Sequence, residues 1–456
     1  MARLFSPLPE ELLKEMDFEL YADGLDENAF AKLLDQLRQI RIDTQSPYFM
    51  NQLFSGVPPE VLEIENLIAE SRTTMATYEA SGPFTLIELE IVRALSNQIG
   101  WKEAYDGVVV PGGSAANAMA IHLARQIADE NFRRLGNMPH WKIFSTREAH
   151  YSLEKAVLAL GLGFDSLVIV ETDSSGRMKP ESLLRAIDDV KSKGHEPLMI
   201  NATMGTTVLG AFDPIDEIIE ASQGTPVHVD GAWGGPAIFS SRLKDKVRGL
   251  EKASSFTFDA HKLFGADLTC SLLLTRHPGL LLEANDVPGG EYLFHESSGD
   301  ETEKDLARRY DRGRLSWQCG RRPEVVSLWG LWKKHGTRGL GYIVEEKLQI
   351  RDEVVSWIKI QPGLRLLHDP EYLNICVQVR KPALQNYEMP KGTSTFEDDL
   401  QWSRHVRQVL KQENKALVNF STRGDGLTFL RLILAHHQLR TDHVIQILKW
   451  AQEIRP

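Results

Sequence analysis

Cysteine is scarce in this chain: Cys270, Cys319 and Cys376 are the only three among 456 residues, an odd number without short spacing. That excludes a disulfide framework and a cysteine zinc site, and it predicts reduced thiols in a cytoplasmic protein. Positive charge is short too. A net charge of -11 argues against broad phosphate-backbone binding, so no nucleic-acid partner is expected, and any anionic substrate needs local positive charge. No run approaches the roughly 18 apolar residues of a membrane span. Met1–Phe18 holds acids and prolines without the apolar core of a signal peptide. The expectation is a soluble intracellular protein with no membrane partner. Internal repeats and low-complexity tracts are absent. So are a Walker-type loop, His-Glu-x-x-His, Gly-x-Ser-x-Gly, and Gly-x-Gly-x-x-Gly after a strand. No metal is expected.

What is present is a long chain of ordinary globular composition, enough for two domains. Residues 1–80 read as a helical, partly irregular N-terminal segment punctuated by Pro47, Pro58 and Pro59. Short apolar runs then alternate with helical patterns. Strands are predicted at Gly107–Val110, Lys142–Ser145, Ser166–Val170, Leu198–Ala202, Val227–Asp230, Ser255–Phe258 and Ser271–Leu274. Helices are predicted at Ala115–Arg134, Ser152–Leu160, Glu181–Lys193 and Pro214–Ala221. This alternation predicts an α/β large domain, residues 81–338, with a mostly parallel sheet whose ligands bind beyond the carboxyl ends of the strands. Residues 286–315 are glycine-rich and then densely charged, which reads either as a solvated loop or as a lid. A helix is expected near Pro323–Lys334. Residues 339–456 read as helix, two strands, helix, two strands, helix: a small C-terminal α+β domain.

The chemistry sits at the strand ends. Asp230 closes the run His228-Val229-Asp230 and is followed by Gly231-Ala232-Trp233. Lys262 follows the alternating segment Ser254–Phe258 in Asp259-Ala260-His261-Lys262. An acid and an amine delivered this way suit pyridoxal 5'-phosphate (PLP): the amine forms a Schiff base with the aldehyde, and the acid keeps the pyridine nitrogen protonated. A buried carboxylate needs such a partner, and a pyridinium N–H supplies one. Pro111-Gly112-Gly113-Ser114 leaves a strand and opens a helix, where glycine lets backbone N–H groups approach a phosphate and Ser114 can cap the helix. The same turn taken alone is an ordinary N-cap. His150 follows another strand, as a structural histidine or as a ring stacked on the pyridine. Thr206 or Thr207 is placed to reach the cofactor's phenolic oxygen, unless local backbone bonds occupy it.

These residues resemble the group II PLP-dependent decarboxylases of the aspartate-aminotransferase fold (fold type I), over most of the chain. Further residues carrying the resemblance are Ser46–Leu53, Thr77-Tyr78-Glu79, Gly210–Pro214 and Gln318–Arg322, most like the glutamate, cysteine-sulfinate and aspartate decarboxylase branch. The resemblance implies Lys262 as the Schiff-base lysine, Asp230 as the pyridine-nitrogen partner, His150 stacked on one face of the ring and Ala232 on the other, and Thr207 at the phenolic oxygen. Gly113, Ser114 and Asp259 fall where the family holds phosphate, although a carboxylate there repels it. Tyr292 matches the lid tyrosine that protonates the substrate carbon, and Arg431 the arginine that grips the α-carboxylate. Gln52, Phe54, Thr74 and Ala76 fall on the wall that senses the distal acid.

Two departures stand out: Pro111 before Gly-Gly-Ser, and the long charged stretch between Phe294 and Gln318. The reading is α-decarboxylation of a small acidic L-amino acid, with cysteine sulfinate or aspartate favoured over glutamate. The alternatives are a specialised decarboxylase of a non-acidic amino acid and oxidative decarboxylation to an aldehyde. A catalytically dead scaffold is disfavoured by intact Lys262, Asp230, His150 and Tyr292. The family also implies a homodimer with shared active sites.

Overall fold

The computed structural model describes residues 3–136, 140–288, 290, 292–294, 302, 309–381, 401–423 and 426–455. Most of the charged segment singled out above, 295–301 and 303–308, lies outside the described residues. The chain forms two compact units. The larger holds Val57–Gln349 and Pro370–Asn374, and the smaller holds Met1–Gly56, Ile350–Asp369 and Ile375–Pro456.

The strands are β1 (Phe49–Met50), β2 (Asp106–Pro111), β3 (Trp141–Ser145), β4 (Leu167–Ile169), β5 (Glu196–Thr203), β6 (Val227–Gly231), β7 (Ser255–Asp259), β8 (Cys270–Thr275), β9 (Leu364–Leu366), β10 (Asn374–Val379), β11 (Leu417–Thr422) and β12 (Thr428–Ile433). In the larger unit seven of them form a sheet of order β2-β8-β7-β6-β5-β3-β4. Its centre is parallel, and β8 runs antiparallel to both β7 and β2. Every residue of β6, β7 and β8 is buried, the signature of strands covered on both faces. All seven strands predicted for this unit are present, differing by one or two residues at their ends.

The helix Gly113–Ala128 buries Ala116, Met119, Ala120, Leu123 and Ala124, an i, i+3, i+4 stripe packed against Val108, Leu198 and Leu273 of the sheet. The sequence pattern carries this helix to Arg134, but it stops at Ala128. Asp129 turns extended, its carboxylate accepts from the Asn131 amide at 2.8 Å, and a separate turn of helix spans Phe132–Leu135. Asp competes with helix by bonding to nearby backbone, which accounts for the stop. The helix that begins at Val325 is likewise interrupted at Gly336, whose φ of 67° only glycine adopts readily.

The smaller unit carries a five-stranded sheet of order β1-β11-β12-β10-β9, with the short N-terminal β1 pairing parallel to β11. Leu4, Phe49 and Leu417 pack together beneath that pairing. Among the described residues no helix is long and apolar enough to cross a membrane.

Candidate active site

Parallel register sets the acidic side of the site. Asp230 lies beside Thr257, and His228 beside Ser255. Because side chains alternate along a strand, all four point to one face, toward the helix Gly113–Ala128. Asp230 is buried; its Oδ2 accepts from Asn117 Nδ2 at 2.8 Å and its Oδ1 from the Ala232 amide at 3.0 Å. At the end of β7 the Lys262 ammonium lies 2.9 Å from Asp259 Oδ2. Burial alone would raise the Asp259 carboxyl. The charges of Lys262 and then His261, with hydrogen bonds from Ser271 and Lys262, together outweigh burial and hold it below the usual carboxylate range.

The glycine turn joins the same place. Gly112 has φ 92° and leads into Gly113, where a Cβ would sit 2.7 Å from Asp259 Oδ2 and 3.0 Å from the Ala232 Cβ. Only glycine fits there. Ser114 is not the cap: Gly112 occupies that position and Ser114 stands exposed in the first turn. His150 is half-buried; its Nδ1 accepts from the Ser152 amide at 3.2 Å. Burial lowers its pKa, opposed by the charge of Asp230 and reinforced by that of Lys262. One ring therefore lies in the field of both Asp230 and Lys262.

The two threonines differ in their surroundings. Thr206 is fully buried, with Oγ1 accepting from the Ala211 amide at 3.1 Å. Thr207 is half-buried, and its carbonyl accepts from Asn374 Nδ2 at 3.0 Å. Asn374 also bonds the Val208 carbonyl and the Trp233 indole, so it staples the Thr207 turn to the segment after Asp230.

Thr74 and Ala76 are held by a buried ion cluster. Glu88 pairs with Arg321 at 3.0 Å and with Arg312 at 3.6 Å, and its Oε1 also accepts from the Val109 amide. Arg321 reaches the carbonyls of Val109 and Met75, and its own amide donates to Thr74 Oγ1 at 3.1 Å. Ala76 is buried, and its carbonyl accepts from Gly313. A Cβ on Gly313 would also meet the Phe294 ring, at the base of the turn that carries Tyr292. Tyr292 itself is 80% exposed. In the smaller unit Arg431 is buried on β12, donating to the Asn51 carbonyl at 3.0 Å, and burial lowers its pKa. Phe54 packs on Phe49, and Gln52 is exposed.

The larger unit thus brings Gly113, His150, Asp230, Ala232, Asp259 and Lys262 together; Gln52, Phe54 and Arg431 belong to the smaller one. Sequence reasoning passed over Asn117, Ser152, Thr257, Asn374 and Glu88. For Asn117 a signal existed: it stands one helical turn after Gly113, on the buried side.

These residues fit PLP. A glycine cradle that a Cβ would fill opens a 16-residue helix, a ready anion site. Among the described residues no His, Cys, Asp and Glu group is arranged to hold a metal.

His228 gives the site a pH signature. Burial, opposed only by Asp230, drops it to about 4, whereas an unfolded imidazole titrates near about 6.5. Between these values the unfolded chain binds a proton that the folded chain does not, so stability is full above the window and falls as pH falls through it. The Tm of cofactor-free protein should decline on acidification from about 6.5 to about 4, and His228→Gln should flatten the decline. An equal slope in the variant would remove His228 as a source.

The chain is similar to known proteins over nearly its whole length. Residues 9–380 match the pyridoxal-dependent decarboxylase conserved domain. The chain is 34% identical to cysteine sulfinic acid decarboxylase of Rattus norvegicus over 439 residues, 94% of this chain and 86% of the relative. It is 35% identical to an acidic amino acid decarboxylase of Bos taurus over 435 residues, covering 94% and 82%. The crystal structure of mouse CSAD superposes with a TM-score of 0.91 at 31% identity, covering 99% of this chain and 92% of that one.

Proposed function

The chain belongs to the pyridoxal-dependent decarboxylase family, a PLP-dependent carboxy-lyase of fold type I, and from that premise we propose that it removes the α-carboxylate of a small acidic L-amino acid. Cysteine sulfinate and aspartate are the favoured substrates, with glutamate third. The support for an acidic substrate is the set of relatives named above, which act on acidic amino acids and share about a third of this sequence over nearly its whole length. The observation that carries the chemistry is the grouping of Lys262, Asp230 and Asp259 around His150.

PLP, when bound, supplies an electron sink conjugated to the substrate's α-amine. The chain's residues do the rest. The Lys262 amine would hold the cofactor aldehyde covalently. Asp230 accepts the pyridine N–H and stabilises its positive charge. Backbone N–H groups at Gly113 and Ser114 receive the phosphate, with Asp259 acting beside them through Lys262. His150 and Ala232 cover the two ring faces, and the Thr207 hydroxyl bonds the phenolic oxygen. Arg431 grips the α-carboxylate, and Tyr292 delivers the proton to Cα after CO2 leaves. Gln52, Phe54, Thr74 and Ala76 contribute the wall facing the distal acid. Thr74 accepts from Arg321, which leaves its hydroxyl proton to donate to an anion. Two copies of the chain share the active sites in a homodimer.

The test is CO2 release by PLP-loaded protein from L-aspartate, L-cysteine sulfinate, L-cysteate, L-glutamate and the aromatic amino acids, with product identified. We expect turnover confined to acidic substrates, the short ones first, with amine as product. One methylene is worth about 1–3 kcal/mol in a pocket, so discrimination between aspartate and glutamate should be roughly 10- to 200-fold. Turnover on aromatic substrates alone would overturn the acidic assignment. Aldehyde with ammonia and peroxide would overturn the role of Tyr292.

A further inference from the structure

Behind Asp230 lies a buried polar chain with no part in the chemistry described so far. Asn117 stands at its centre. Its Nδ2 donates to Asp230 Oδ2 at 2.8 Å and to Ser152 Oγ at 3.1 Å. Its Oδ1 accepts from Thr257 Oγ1 at 2.9 Å and from His228 Nε2 at 3.1 Å. His228 Nδ1 meets Ser255 Oγ at 2.8 Å. Asn117, His228, Thr257, Ser152 and Ser255 are all buried.

The directions of these bonds are fixed by inventory. A side-chain amide has two donors and a two-lone-pair acceptor, and all four are taken. Turning the amide over would aim its oxygen at the Asp230 carboxylate and its hydrogens at His228. A neutral imidazole with its proton on Nε2 therefore donates to Asn117 Oδ1, while Nδ1 accepts from the Ser255 hydroxyl. The donors run in sequence from Ser255 through His228 and Asn117 to Asp230. A fully satisfied buried network of this kind is stiff, and a partly satisfied one is costly.

We propose that Asn117 is a positioning residue for the decarboxylation, held by His228 and Thr257 so that its amide aims Asp230 at the pyridine nitrogen of PLP. The proposal rests on the reading of Asp230 as the pyridine partner. In that role Asn117 never touches the cofactor; it fixes which way the Asp230 carboxylate faces and shares its negative charge. Orienting partners behind a directly bonding group typically change affinity or activity by roughly 10- to 100-fold at metal sites, and the same scale is expected here.

Asn117→Asp is the decisive variant. It keeps the side chain's shape and its acceptor toward Thr257 and His228, but it replaces the donor facing Asp230 by a second carboxyl. Between two carboxylates one is pushed to hold a proton. As pH falls, the new carboxyl regains a proton to donate and the bond to Asp230 is restored. The other titratable groups around this point are His228, His150, Lys262 and Asp259; His228 touches residue 117 directly and a carboxylate there favours its protonated form, so every value is read as a ratio to the parent protein at the same pH and again in the His228→Gln background.

The measurements are the dissociation constant for PLP, the visible absorption band of bound cofactor, and kcat against KM. For Asn117→Asp we expect PLP to bind roughly 10- to 100-fold more weakly at neutral pH, kcat to fall with KM little changed, and the ratio to the parent to recover toward one on acidification. A loss that does not recover as pH falls, or no loss at all, overturns the proposal. If Asn117→Asp fails to fold, Thr257→Val removes only the hydroxyl that orients the amide, and should weaken PLP binding by roughly fivefold; unchanged binding there also overturns it. Asp230→Ala separates the two readings. Should Asp230→Ala leave PLP binding and the band intact, the assignment of Asp230 itself fails; should it remove them while Asn117→Asp and Thr257→Val behave as the parent, the positioning role of Asn117 alone fails.

Discussion

Lys262→Ala is expected to abolish the visible band of bound PLP and to lower CO2 release by roughly three orders of magnitude or more, the scale seen when a covalent group is lost. Two effects are combined in that loss. The chain loses the amine that holds the aldehyde, and Asp259, fully buried, loses the cation 2.9 Å away that does most to offset its burial. Without Lys262 its carboxyl should rise toward and past the ordinary range, leaving His261 as the nearest positive influence. Lys262→Arg separates the effects: the guanidinium can keep the ion pair with Asp259 but cannot form the covalent bond to the cofactor. We expect Lys262→Arg to match the parent in thermal unfolding and Lys262→Ala in spectrum and activity. Spectra after PLP addition and gel filtration, beside CO2 release, would check this. A visible band that survives in Lys262→Ala would remove Lys262 from its assigned role.

Glu88→Ala should be the most destabilising single change, about 3–5 kcal/mol, the usual cost of breaking a buried ion pair from one side. Glu88 is fully buried between Arg321 and Arg312, and its own carboxyl is held low by those two guanidiniums against the opposing effect of burial. Removing it strands two buried cations. It also frees Arg321 from the position in which its main chain braces Thr74 and Met75. Arg312 additionally donates to the Gly107 carbonyl on β2, so the strand that feeds the glycine turn should loosen with it. The control is Glu90→Ala, whose pair with Arg93 is solvent-exposed and should change stability by under about 1 kcal/mol. Urea unfolding of both variants would test the difference; midpoints that fall equally would sink the idea that burial sets the effect.

The two expectations differ in how far each could be foreseen. Lys262 and Asp230 announce themselves because each closes a short apolar strand and is followed by residues suited to a turn. Glu88 gives no such notice: an acid in the helix Pro83–Ile99 reads as a solvated face until Arg321, 233 positions later, is folded against it. Thr206 and Thr207 were legible as a pair of which the family resemblance singled out Thr207, whereas the bond of the Ala211 amide to Thr206 Oγ1 depends on how the following turn folds back. Ser114 was misread as a cap because serine favours that position, yet the backbone needs the positive φ of Gly112 there.

What the sequence alone determined is the set of central strands and the chemistry at their ends. Burial on both faces imposes uninterrupted apolar runs, and turn residues mark where each run stops, so both signals are local. Tertiary structure alone decided the antiparallel direction of β8, the pairing of β1 with β11, and the partners of Asn117, Asn374 and Glu88. Those depend on which distant groups are left to satisfy one another once the apolar surfaces are buried. A polar side chain carries no mark of its partner until packing removes water from both.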